Sequence, residues 1–210
     1  MKVPTPQQYY AEQVPFQFNR LLEEQEQAAA GADAEYAQGV LDGMRDVTAT
    51  IRVDVRGEGG GTWFLNIRDG RMAAGAAADH APFLTMIQDA ASYECLVAEA
   101  GDSALGMLGG LSGLAGEMRL TRARIDNLTG VGGSLQFTLG GDAGFTLLTH
   151  FGSDPVPEQP TTTITVDPEG YRKLRAGEIQ AHEAFMSGLI QVEGDMQLAM
   201  QLALAALSPD

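Results

Sequence analysis

The chain has 210 residues, 44% apolar and 20% charged, a composition that builds a normal core and excludes a disordered tail or a fibrous protein. Thirteen Lys and Arg stand against 28 Asp and Glu, a formal charge of −15, so a nucleic-acid backbone or an anionic membrane surface is repelled at long range. One cysteine, Cys95, cannot close an internal disulfide, the first residues lack the apolar stretch of a signal peptide, and no apolar run is long enough to span a membrane. The expectation is a soluble, cytoplasmic protein.

The first 45 residues read as helical. Pro15 suits the first position of a helix that carries Phe18, Leu21 and Leu22 on one face, and Asp33 is a candidate N-cap for a second helix with Tyr36, Val40, Leu41 and Met44 at helical spacing. From residue 48 the period falls to two. Ile51, Val53 and Val55 alternate with Arg52, Asp54 and Arg56, the glycine run 57–61 makes a turn, and Trp63, Leu65 and Ile67 return as an antiparallel partner. Asp69-Gly70 is the next turn, and residues 83–88 read as a third strand.

The later half repeats this order. A shift of 78 residues lays positions 161–198 on 83–120 without a gap and gives ten identities in thirty-eight positions, among them Asp167 on Asp89, Tyr171 on Tyr93 and Leu174 on Leu96. Unrelated sequences would share roughly two or three. Upstream, Leu135, Phe137 and Leu139 mirror Ile51, Val53 and Val55, while Phe145 and Leu147 mirror Trp63 and Leu65. The chain thus reads as two copies of one α+β unit, residues 1–128 with the N-terminal helices and residues 129–210, the helix 117–128 closing the first. In the second copy Asp167 caps a helix that begins Pro168-Glu169, a short strand sets Ile190 and Val192 against Gln191 and Glu193, and Gly194-Asp195 turns it into the last helix.

The stretch from Ala184-Phe185-Met186-Ser187-Gly188-Leu189-Ile190 through Gly194-Asp195-Met196 to Leu202 resembles the C-terminal signature of the sterol-carrier-protein (SCP2-type) lipid-binding family. There a motif of the type AF-x-G-K-L-x-I-x-G-D/N-M-x-L-A-x-x-L precedes the closing helix. The resemblance covers residues 130–210 well and the first copy weakly, where Gly106-Met107-Leu108-Gly109-Gly110 replaces Ala-Phe-Met-Ser-Gly; Leu189 stands where the family usually has lysine. It implies, for each unit, a mainly antiparallel sheet with helices over one face and an apolar tunnel for an acyl chain, sterol or similar lipid. The tunnel-lining candidates in the second copy are Phe137, Phe145, Leu147, Phe185, Met186, Met196, Met200 and Leu204.

The residues alone allow a bland reading beside this one. Met196, Met200, Leu204 and Leu207 form one stripe of the last helix and Leu198 and Leu202 another, so that helix needs cover from protein, partner or ligand; methionines at this spacing either mould around a ligand or fill a core. The matching helix of the first copy carries Arg119, Arg122 and Arg124 and reads as an ordinary surface helix, its arginines a solvated face rather than an anion site.

Chemistry-bearing groups are scattered. His80, His150 and His182 read as surface or capping histidines, Ser103 and Ser112 lack the nucleophile-elbow pattern, the glycine run 101–116 has no lysine for a phosphate, and Cys95 has Glu94 and Glu99 nearby. The expectation is a protein without catalysis, metal or cofactor that binds or transfers a small hydrophobic ligand and takes no nucleic acid. The alternative is a structural or oligomerisation module, an enzyme accessory with filled cores; a homodimer is compatible with either.

Overall fold

A computed structural model describes residues 3–31, 34–100, 119–141 and 144–207. Within them lie a short helical turn, α1 (Pro6–Gln8), a π-helix (Tyr9–Gln13), α2 (Val14–Ala29) and α3 (Ala34–Arg45), then four strands, β1 (Ala49–Arg56), β2 (Gly61–Arg68), β3 (Arg71–Gly75) and β4 (Leu84–Asp89), and α4 (Ala90–Ala100). The later elements are α5 (Arg122–Val131), β5 (Gly133–Leu139), β6 (Thr146–Phe151), β7 (Thr162–Val166), α6 (Pro168–Arg175), α7 (Ala181–Met186), β8 (Ile190–Gly194) and α8 (Met196–Leu207). The class is α+β, as the sequence predicts.

The eight strands form one continuous mixed sheet in the order β3-β2-β1-β4-β6-β5-β7-β8. Its two halves repeat one arrangement. β1 is antiparallel to β2 and parallel to β4, and β5 is antiparallel to β6 and parallel to β7. The registers repeat too: Ile51 faces Leu65 and Leu84, while Leu135, 84 residues on, faces Thr149, also 84 on, and Thr162, 78 on. The second offset is the one read from the sequence repeat. The first corrects a detail, since Trp63 pairs with Val53 as Leu147 pairs with Phe137, so the residues that mirror Trp63 and Leu65 are Leu147 and Thr149 rather than Phe145 and Leu147.

The halves do not make separate sheets. β4 and β6 join antiparallel, with Leu84 opposite Phe151 and Ile87 opposite Leu148, and one apolar cluster runs from Tyr9 and Tyr10 at one end to Leu198 and Leu202 at the other. A second, small cluster of Leu22, Val40, Leu41 and Met44 holds α2 against α3. Helices cover the face that carries Ile51, Val53 and Val55; the other face shows Arg52, Asp54, Gln136 and Thr138 to solvent.

Four further differences from the sequence reading have local causes. β3 was not foreseen: Met72 is its sole large apolar residue, too little for an alternation signal. α5 begins at Arg122, not at residue 117, because the Thr121 hydroxyl accepts from the Arg124 amide and fixes the first turn there. Arg124 is buried rather than solvated, its guanidinium donating to the Arg119 carbonyl at 2.6 Å. His150 is buried in β6, one ring nitrogen 2.9 Å from the Asp154 carbonyl. The Asp33 cap, Ser103, Ser112 and the link 101–118, with Gly106–Gly110, lie outside the described residues.

β3 is an edge strand, and a side chain closes it. The Asn19 carboxamide of α2 donates to the Met72 carbonyl at 3.0 Å and accepts from the Met72 amide at 2.8 Å, so it pairs with the edge as a neighbouring strand would. Replacing Asn19 by alanine removes both bonds and is expected to cost about 2 kcal/mol at roughly 1 kcal/mol per bond, read as a lower urea midpoint with an unchanged slope; an unchanged midpoint would mean the clamp contributes nothing.

Candidate ligand site

Alternation places Leu135, Phe137 and Leu139 of β5, Leu147, Thr149 and Phe151 of β6, Ile164 and Val166 of β7, and Ile190 and Val192 of β8 on the helix-covered face. That face is closed almost throughout. Ile51, Val53, Leu65, Ile67, Met86 and Leu147 are fully buried, and Leu135, Phe137 and Phe151 nearly so. The exceptions among its side chains larger than alanine are Ile164 and Val192, which face each other across β7 and β8 and are both partly exposed. Tyr171 and Leu174 of α6, Ile179 of the following link and Leu189 before β8 are likewise only partly buried against the core. The helical layer is therefore incompletely closed over one spot, at the β7–β8 end of the sheet.

The equivalent positions of the first half are shut. Met86, Tyr93 and Leu96 correspond through the 78-residue shift to Ile164, Tyr171 and Leu174, and none of the three is more than 2% exposed. What shuts them is the N-terminal segment. A Thr5 cap and the π-helix turn Tyr9 and Tyr10 inward, where both are buried against Tyr93 at ring-centroid distances of 6.0 and 5.9 Å, and Tyr10 also lies 5.5 Å from Trp63. Three hydrogen bonds fasten this plug: Tyr93 to the Pro4 carbonyl at 2.8 Å, the Trp63 indole to the Gln7 side chain at 2.9 Å, and the Gln88 amide to the Tyr10 hydroxyl at 2.6 Å. Burial pushes the phenols of Tyr9 and Tyr10 well above the ordinary tyrosine range. Val166 takes the place of Gln88 in the second half, so the polar anchor is missing there.

The open spot is framed by elements with well-defined ends. Asp167 accepts from the Glu169 and Gly170 amides and starts α6, while Asp195 accepts from the Gln197 and Leu198 amides at 2.9 and 3.0 Å and starts α8. Gly194 makes the strand-to-helix switch: its φ is +87°, and a Cβ there would stand 2.4 Å from the Thr161 carbonyl oxygen. Leu198 packs over Gly133, with a methyl group 2.9 Å from where a Cβ would be. This contact sets the rotation of α8, so that Leu198, Ala199 and Leu202 face inward and Met196 and Met200 face out.

Seven of the eight residues expected to line a tunnel therefore fall into two sets. Phe137, Phe145 and Leu147 are in the closed core, with Phe137 and Phe145 stacked at 5.7 Å. Phe185 and Met186 on α7 and Met196 and Met200 on α8 are exposed, by 45, 84, 41 and 60%. Leu204 lies on α8. The residues not foreseen are Ile164 and Val192, which the β7–β8 register of the structure brings opposite each other.

Among the described residues no three of His, Cys, Asp and Glu are placed to hold a metal ion, and no helix is long and apolar enough to cross a membrane.

No curated protein matches the chain in sequence. Among solved structures it is similar to Sterol Carrier Protein 2 Like 2 from Aedes aegypti, with 23% identity over 35% of this chain and 72% of that one and a TM-score of 0.28. It is also similar to apo Sterol Carrier Protein 2 from Yarrowia lipolytica, with 21% identity over 34% and 69% and a TM-score of 0.26. The SCP-2 sterol transfer family model matches residues 117–206, the span that holds α5 to α8, the second half of the sheet and the signature Ala184–Leu202. The second half of the chain thus matches the SCP-2 sterol transfer family model over a span that contains the signature.

Proposed function

We propose that the protein binds, and passes on, a small hydrophobic ligand at the gap over Ile164 and Val192, without catalysing a reaction on it. One observation carries this reading: in the half of the chain that matches the family, the covered face of the sheet is open at this pair, while the same position in the other half is plugged by Tyr9 and Tyr10. Phe185, Met186, Met196 and Met200, on the two helices flanking β8, offer apolar surface for the part of the ligand that the gap does not cover, and thioether side chains adapt to ligands of different shape. Phe137, Phe145 and Leu147 form the wall behind. An acyl chain that buries several hundred Å² gains several kcal/mol at about 25 cal/mol per Å² before ordering costs. The repeated topology and register further support two copies of one unit, divided near residues 128 and 129, of which the first is a filled scaffold. Such a carrier, with one unpaired cysteine, suits the cytoplasm.

The test is lipid extraction and native mass spectrometry of the purified protein, with titration by the neutral fluorophore N-phenyl-1-naphthylamine. A fluorescence rise with a micromolar Kd is expected. It should weaken about tenfold in Met200→Asp, since a charge on the contact surface must stay hydrated, and remain unchanged in Tyr36→Ser, which alters an exposed aromatic on α3. No extracted lipid, no fluorophore binding and a dimer by analytical ultracentrifugation would instead favour the oligomerisation module, with the exposed methionines as its contact.

A further inference from the structure

The segment over the gap is attached more lightly than the elements beside it. Between Ala176 and Gly188 the described side chains are exposed apart from Ile179 and Ala184, which turn inward. Ala184 is fully buried but contributes one methyl group, and Ile179 is only partly buried beside the gap. α7 lies against α6 on one side and β8 on the other, so it bridges the opening between them. Its own residues cap it: the Gln180 amide donates to the Glu183 carboxylate at 2.9 Å, and the Ser187 and Gly188 amides donate to the Glu183 and Phe185 carbonyls at 2.9 and 3.1 Å. With its end groups satisfied from within, α7 can shift as one piece.

Both ends of the segment are glycines in the left-handed region, Gly177 at φ +69° and Gly188 at φ +78°, and at neither does anything stand within 4 Å of where a Cβ would be. The glycines of the flanking elements are crowded instead. A Cβ at Gly170 of α6 would stand 2.7 Å from the Leu189 Cβ, and Gly194 ends β8 against the Thr161 carbonyl. Leu189 itself is pinned, its carbonyl accepting from the Asp167 amide at 2.9 Å. α6 and β8 are thus locked to their neighbours, while α7 hangs between them on two uncrowded joints. The bond that ties it to the lead-in of β8 runs from the Leu189 amide to the Ala184 carbonyl at 2.9 Å.

We propose that α7 is the lid of the gap: it pivots at Gly177 and Gly188 to admit a hydrophobic ligand and settles with Phe185 and Met186 over it. The proposal rests on the binding at Ile164 and Val192, and the experiment separates the two. Phe185 and Met186, exposed by 45 and 84%, leave water when a bound ligand gives them apolar surface to meet. Amide exchange of the full chain by NMR tests the motion, because two neighbouring bonds report on it differently. Opening the lid frees the Leu189 amide but not the Asp167 amide, so Leu189 should exchange at least about tenfold faster after correction for intrinsic rates, and saturating N-phenyl-1-naphthylamine should remove most of that difference. Phe185→Ser, at an exposed position, should raise the dissociation rate of the probe in stopped flow by roughly fivefold with little change in melting temperature. Equal exchange of the two amides, or an unchanged dissociation rate in Phe185→Ser, overturns the lid and leaves the carrier reading standing as long as the probe binds the parent protein. Failure of the probe to bind the parent overturns both.

Discussion

Tyr10→Ala is expected to bring the protein close to unfolding. Tyr10 is fully buried, rests on Tyr9, Tyr93 and Trp63 at 5.1–5.9 Å and accepts a hydrogen bond from Gln88. Truncating a buried aromatic costs about 3–5 kcal/mol, a large part of the roughly 5–15 kcal/mol that holds a domain together. Tyr10→Phe keeps the ring and is expected to cost about 1–3 kcal/mol, because the Gln88 amide is left buried without its partner. Urea unfolding followed by Trp63 fluorescence measures both, and a Tyr10→Phe protein as stable as its parent would mean the bond is not part of the plug.

The same burial predicts an alkaline limit. Unfolded, Tyr9 and Tyr10 lose their protons near pH 10; folded, burial keeps them protonated beyond that point. Above pH 10 the unfolded chain therefore binds fewer protons than the folded one, so stability falls as pH rises, by about 1.4 kcal/mol per unit for each phenol. Burial raises the Tyr93 phenol as well, so Tyr10→Phe removes one of three and should flatten this slope.

The second large effect concerns binding. Ile164→Trp, or Val192→Trp, puts an indole into the gap between β7–β8 and the helices above, and should lower affinity for N-phenyl-1-naphthylamine at least about twentyfold. Both positions are partly open, so the added ring has room and the melting temperature should change little. Met86→Trp at the equivalent place in the first half meets Tyr9, Tyr10 and Tyr93 in a closed core and should instead cost about 1–3 kcal/mol through overpacking. Calorimetry beside the titration separates the two responses; undiminished affinity in both second-half variants would place the ligand elsewhere.

How far these features can be read from the sequence depends on their range. Alternation reveals β1, β2 and β4, the Asp167 and Asp195 caps mark two helix starts, and the 78-residue shift anticipates the parallel register of both halves, because each rests on neighbouring residues or a repeated pattern. The plug does not show. Tyr10 meets Gln88 across 78 positions, and a pair of tyrosines in a polar N-terminal stretch carries no periodic signal. The facing of α8 is ambiguous for a different reason: its leucine and methionine stripes are both apolar, and the choice between them is made by the space above Gly133, in another element. The β4–β6 junction is hidden as well, since the strand sequences favour pairing without naming a partner.

That junction makes the family-matching half something other than a transplantable cassette. β4 serves β6 as the outer neighbour that β3 is to β2, and β6 serves β4 as β8 serves β7. Cutting the chain between the halves would bare the long sides of β4 and β6 at once, with Leu84, Met86, Leu147 and Phe151 beside them, in strands that have no equivalent of the Asn19 clamp. Their natural cover is each other, so the half that matches the family has traded independence for a permanent companion: its sheet edge is closed only within the whole chain.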